Sequence, residues 1–156
     1  MDEPELQQRF MLEALKEAAR ALDSDEVPIG AVIVHKNRII GKAFNQTRLL
    51  KDPTAHAEMI AITQAANALE HERLLDADLY VTIEPCVMCI GALIHARVSR
   101  IFFGAPNEKY GGCGSVIDVP QGGRWNHHIE INKGLMADQA ALLMQEFFRK
   151  KRGNSR

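Results

Sequence analysis

Four residues of this 156-residue chain have the types and spacing that chemistry needs. They lie in two short motifs, His56-Ala57-Glu58 and Pro85-Cys86-Val87-Met88-Cys89, each following an extended segment and opening a helix. Cys86 and Cys89 stand at i and i+3, one turn apart on the same helix face, which is the spacing at which two thiolates grip one ion. The N–H groups at a helix start also favour thiolate charge and lower the thiol pKa. On an ideal helix His56 and Glu58 point about 200° apart, so they share a site only in the first turn, where both side chains project past the helix end. The spacing therefore predicts a site where two helix N-termini meet. A structural zinc site normally takes four protein ligands, whereas a catalytic one keeps a position open. His56, Cys86 and Cys89 make three, and Glu58 beside them supplies a proton carrier, the set required for metal-assisted hydrolysis. Two other readings start from the same residues. A fourth ligand from Cys113 or His95 would make the site structural, and Cys-x-x-Cys after a strand is also the pattern of a thioredoxin-like redox protein, against which His56 and Glu58 argue.

The elements that must position these residues follow from hydrophobic period and turn chemistry. Met11, Leu15, Ala18 and Leu22 recur at helical spacing over 4–22. Segments 29–34 and 38–44 alternate as two strands of a hairpin around His35, Lys36 and Asn37. A polar stretch over 45–53 leads into a helix ending near Leu69, and 79–83 is a third strand. Glu84 and Pro85 break it, proline being unfavourable to a helical predecessor but well placed to start a helix. A helix over 86–96, a strand over 100–104, a glycine-rich excursion over 110–123, a short strand over 129–132 and a last helix over 136–150 complete the chain. Strands alternating with helices predict a layered α/β sheet in one domain, 1–156, ending in a basic tail at about 149–156.

Composition sets the class. A hydrophobic fraction of 46% with 25% charged residues is that of an ordinary globular domain, and excludes disordered, collagenous or disulfide-scaffold chains. All 20 acidic residues but only 14 of the 19 basic ones precede residue 149; Arg149, Lys150, Lys151, Arg152 and Arg156 crowd the end. Five cations without an acid exceed what a helix terminus needs and predict contact with phosphate. Arg48, Lys51 and Lys109 are weaker candidates. No aliphatic run approaches the ~18–20 residues of a membrane span, the first residues are acidic, and three cysteines fit a reducing compartment, so a cytoplasmic protein is expected.

At His56-Ala57-Glu58 and Pro85-Cys86-Val87-Met88-Cys89 the chain resembles the zinc-dependent nucleobase deaminases of the cytidine/deoxycytidylate deaminase superfamily. The likeness extends to Glu26-Val27-Pro28-Ile29-Gly30-Ala31-Val32, Asp52-Pro53-Thr54-Ala55 and Phe147-Phe148-Arg149, and is closest to the members that act on tRNA. The resemblance implies a three-layer α/β/α fold with a central mixed five-stranded sheet. It also implies hydrolytic conversion of the wobble adenosine of a tRNA anticodon stem-loop to inosine by a homodimer carrying one Zn2+ per subunit. It makes His56, Cys86 and Cys89 the zinc ligands and Glu58 the general acid/base, and places Asn45, Ala57 and Pro85 against the flipped base. Asn107, Lys109, Arg149, Lys150 and Arg152 are then expected along the RNA, although Asn107 stands where relatives often carry an acid. A free base or nucleotide such as cytosine, guanine or deoxycytidylate is the alternative substrate, which would leave the basic end unexplained. Cys113 and the remaining histidines have no role in this scheme, and Trp125 is expected to anchor packing.

Overall fold

The computed structural model describes residues 1–154. Its first helix, α1 (Glu3–Asp23), starts where the Asp2 side chain accepts the Glu5 N–H at 2.9 Å, with Pro4 in the first turn and Glu3 and Glu5 favourably placed at the positive helix end. Strands β1 (Gly30–His35) and β2 (Arg38–Phe44) form the expected hairpin, in which Lys36 and Asn37 adopt φ of 51° and 61°. Two successive positive φ values are what a tight turn matching the strand twist requires. There follow α2 (Ala57–Leu69), β3 (Ala77–Ile83), α3 (Val87–His95), β4 (Arg100–Ala105), α4 (Val119–Gly122), β5 (Glu130–Lys133) and α5 (Ala137–Asn154).

The five strands form one sheet in the order β2-β1-β3-β4-β5, with β1 antiparallel to both its neighbours and β3, β4 and β5 parallel. Register aligns Ile33, Leu79, Ile101 and Ile131 across four strands, and the next row, Val32, Tyr80 and Phe102, faces the other way. The first row packs against α2 and α3, with Ala57, Ala61, Ala65, Ile90 and Leu93 fully buried over it. The second packs against α1 and α5, where Phe10, Met11, Ala14 and Ala140 cover Val32, Tyr80 and Phe102 and the last two rings stack at 4.6 Å. The three layers are thus α/β/α around a mixed sheet, as the resemblance implies. Gly30 lets α1 lie directly on β1, since a Cβ there would strike the Ala14 carbonyl and come within 2.5 Å of the Ala18 nitrogen.

Several boundaries differ from expectation, with β1 and β5 each lying one residue later. β3 begins two residues early, at Ala77, and α5 begins at Ala137 because Met136 takes a left-handed φ of 54°. The basic run is not a tail: Arg149, Lys150, Lys151 and Arg152 form the last turns of α5, which continues to Asn154, while Arg156 lies outside the described residues. The glycine-rich excursion is also more ordered than its composition suggests. It carries α4 and two isolated bridges, Cys86 to Gly111 and Cys113 to Asp118, and Trp125 anchors it by donating its indole N–H to the Val119 carbonyl at 2.6 Å.

Candidate active site

His56 is the N-cap of α2 and Cys86 the N-cap of α3, both with extended backbone and neither side chain capping its own helix. The two imidazole and thiol groups are therefore free to turn towards each other, and Pro85 keeps the helix from starting earlier. His56 Nδ1 lies 3.6 Å from Cys86 Sγ and 3.5 Å from Cys89 Sγ, and the donor atoms of the three residues lie within 4.8 Å of one another. Bond lengths of about 2.05 Å to nitrogen and 2.3 Å to sulfur around a tetrahedral zinc give an N···S edge of about 3.6 Å, so the donor set fits that ion. Neither Cys113 nor His95 joins this group among the described residues. Three protein ligands leave the fourth tetrahedral position to water or substrate.

The electrostatics of the trio are those of a soft cation site. Hydrogen bonding from Cys89 holds the Cys86 thiol down to about 4 against the effect of burial, with His56 adding to the fall. Cys89 is pushed well up by the same hydrogen bond and by burial. His56 is raised, first by its hydrogen bond to Cys86. Cys113, by contrast, is pushed up to about 12 by burial and is an inert thiol.

Glu58 follows His56 by two residues, in the first turn of α2, and is 3% exposed. Burial pushes its carboxyl up to about 7, the Cys86 charge adding to the rise while its own N–H and His56 oppose it. A carboxyl poised there gives and takes a proton near neutrality. Asn45, at the end of β2, is buried beside it, and its Oδ1 accepts the Ala57 N–H at 2.8 Å. That bond satisfies the first orphan N–H of α2, which His56 leaves uncapped, and fixes the side chain of a residue that lines the cleft. Ala57 and Pro85 are buried next to lining residues but do not themselves line the cleft, and their backbone groups are engaged inside the protein: Ala57 N–H by Asn45, and the Pro85 carbonyl by Gly112 N–H at 2.8 Å.

His56, Glu58, Cys86 and Asn45 form the floor of a cleft of about 880 Å³. Val27, Ile29 and Ile83 supply apolar wall; Asn107, Lys109 and Tyr110 form one rim, and Ala141, Met144, Gln145 and Phe148 of α5 another. Asn107 closes its own turn, its Oδ1 accepting the N–H groups of Lys109 and Tyr110 at 3.3 and 3.1 Å, a task an aspartate would perform equally. Of the basic residues at the end of α5, Arg149 is paired with Glu146 at 2.6 Å and Lys151 with Asp25 at 2.7 Å. Arg152 falls four residues after Phe148, hence on the stripe of α5 that faces the cleft. Arg48 is held by Asp25 at 2.7 Å.

Two buried carboxylates outside the donor set organise these rims and were not expected from the sequence. Glu26, 1% exposed, accepts the N–H groups of Arg48 and Leu49 at 3.2 and 2.6 Å, and Glu84 holds the loop after β4. The signal for Glu84 was present: an acid directly continuing the buried end of a strand must find donors.

A mixed sheet in which β3 leads two cysteines to a helix start, opposite a histidine and a buried glutamate, is the arrangement expected of the zinc-dependent deaminases that the sequence resembles. The family model of the MafB19-like deaminases matches residues 5–152. The chain is 45% identical over 148 residues to the tRNA-specific adenosine deaminase of Streptococcus pyogenes serotype M18, covering 95% of this chain and 93% of that one. It is 43% identical to that of Aquifex aeolicus over 145 residues, covering 93% and 95%. A solved structure from a study of A-to-I editing by tRNA:A34 deaminases at the wobble position superposes with a TM-score of 0.84 at 44% identity, covering 86% of this chain and 98% of that one. The chain belongs to the tRNA-specific adenosine deaminase family.

Proposed function

We propose that the protein hydrolyses adenosine to inosine at the wobble position of a tRNA anticodon, with one Zn2+ per subunit on His56, Cys86 and Cys89. The observation that carries the reading is the juxtaposition of three metal donors, held 3.5 to 3.6 Å apart across nitrogen and sulfur, with a buried carboxyl raised to about 7. Zinc bound there supplies the Lewis acidity that readies water for attack at neutral pH. Glu58 takes the proton released by the attacking water, places it on N1 of the purine, and delivers the next to the departing amine, so that ammonia leaves and inosine remains. Asn45 donates from Nδ2 to the base and fixes its angle, while Ala57 and Pro85 shape the floor beneath it. The apolar wall of Val27, Ile29 and Ile83 limits bulk water around the reacting carbon.

An adenosine inside a stacked loop cannot reach this floor, so the nucleotide enters flipped out, its neighbours lying along the rims. Asn107 and Lys109 on one rim, and Arg152 with Arg149 and Lys150 on α5, contact that RNA in this reading. In this reading the enzyme acts in the cytoplasm as a homodimer. Among the described residues no helix is long and apolar enough to cross a membrane.

The test is ammonia release from an anticodon stem-loop, free adenosine, cytidine and guanine in parallel. Release from the stem-loop at rates far above those of the free compounds is expected. Preferential release from cytidine or guanine would overturn the substrate assignment and leave the hydrolytic chemistry standing.

A further inference from the structure

We propose that Glu84 is a positioning residue for the substrate, its carboxylate tying the rim loop over 107–118 to the strand end that carries Cys86. The proposal rests on the reading of the cleft as a nucleic-acid deaminase site. Glu84 is 3% exposed and directly follows β3, two residues before Cys86. Its Oε1 accepts the Asn107 N–H at 3.1 Å and the Ser115 hydroxyl; its Oε2 accepts the N–H groups of Cys113 at 2.9 Å and Ser115 at 3.2 Å. A buried carboxylate is costly unless its lone pairs are filled, and here backbone and hydroxyl donors from both ends of one loop fill them.

Asn107, Glu108, Lys109 and Tyr110, which line the cleft, sit between those donors. The loop lies so close to its anchor that a Cβ on Gly111 would meet the Glu84 carboxylate and come within 2.5 Å of the Asn107 carbonyl. Gly112 N–H, bonded to the Pro85 carbonyl, adds a second tie to the same strand end. Rim and metal-binding turn therefore form one body, and the distance between the groups that hold the substrate's flanks and those that act on the base is set by Glu84. A carboxylate is acceptor-only, whereas the amide of glutamine turns an NH2 towards N–H donors; Glu84→Gln keeps the shape and breaks the arrangement.

Glu84→Gln is compared with the unsubstituted, zinc-loaded full chain by amide hydrogen exchange and by steady-state kinetics on an anticodon stem-loop. Ser115→Ala, which removes one bond of the set, serves as the milder variant and is expected to move each readout in the same direction by less. The expected result is faster exchange over 107–115 with α3 still protected, zinc content kept, and a KM for the stem-loop about tenfold higher, with kcat per zinc changed less. A role in stability alone reduces the amount of folded enzyme and leaves KM where it was. An unchanged KM, or unchanged exchange over 107–115, overturns the proposal. Failure of the unsubstituted enzyme to act on the stem-loop counts against the functional reading alone, and the exchange comparison still decides whether Glu84 holds the rim.

Discussion

Cys86 and Cys89 can reach one ion because they occupy the N-cap and third position of α3, and His56 meets them because it is the N-cap of α2. Cysteine at 89 cannot be exchanged for serine without loss, since a neutral hydroxyl is a poor ligand where a thiolate stands. For Cys89→Ser we expect zinc, measured by metal analysis of the purified chain, to fall from about one per chain to less than about a tenth. Glu58 presents the opposite case. In the proposed mechanism it carries the proton without belonging to the donor trio, so Glu58→Ala should keep its zinc and its affinity for a stem-loop while kcat falls by at least ~10²-fold. Near-normal turnover in that variant would show that another group carries the proton. At this scale the sequence was legible: two short motifs picked out three side chains whose donor atoms lie within 4.8 Å of one another. The partner of Asn45 was not legible, because the bond from Ala57 N–H joins a strand end to a helix start and depends on how β2 and α2 are stacked.

Strands and helices whose burial follows a simple period were also readable before the fold was known. The row of Ile33, Leu79, Ile101 and Ile131 alternates cleanly with Val32, Tyr80 and Phe102, and α1 shows its buried stripe at helical spacing. The excursion over 110–123 was opaque for a physical reason: its shape is set by distant donors and acceptors, Glu84 above all, and not by local propensity. The end of α5 misled similarly. A run of cations suggested a solvated tail, but Lys151 bonds Asp25 at 2.7 Å and lies over the Phe147 ring at 5.4 Å, and Arg149 bonds Glu146, so the helix continues. Asp25 joins three elements, since it also holds Arg48 at 2.7 Å. Its carboxyl is held below the ordinary 3.8, first by the Lys151 hydrogen bond; a depressed acid contributes above its unfolded pKa and loses that contribution only as pH falls through the lower folded value. Near neutrality salt, not pH, is therefore the variable that weakens this link. Asp25→Ala should raise hydrogen exchange and proteolysis at the last turns of α5 while hardly moving the melting temperature, and added salt should produce the same effect in the unsubstituted chain.

Before residue 149 the chain carries 20 acidic residues against 14 basic ones, and the run Arg149, Lys150, Lys151 and Arg152 at the end of α5 follows beside the cleft. Such a distribution brings a polyanion to the active face while the rest of the surface repels it. In the proposed reading Arg152, on the same stripe of α5 as the cleft-lining Phe148, contacts the RNA. Arg152→Ala should weaken stem-loop binding and reduce the slope of log K against log salt by roughly one, with zinc content unaltered. An unchanged slope would mean that the end of α5 serves only the fold. The central claim, that this donor trio and Glu58 edit one base of a tRNA, is tested most directly by mapping inosine, position by position, in tRNA treated with the zinc-loaded protein. The account predicts inosine at the wobble adenosine alone, and none with Glu58→Ala. Inosine scattered over other adenosines, or absent while a free base loses its amine, would contradict it.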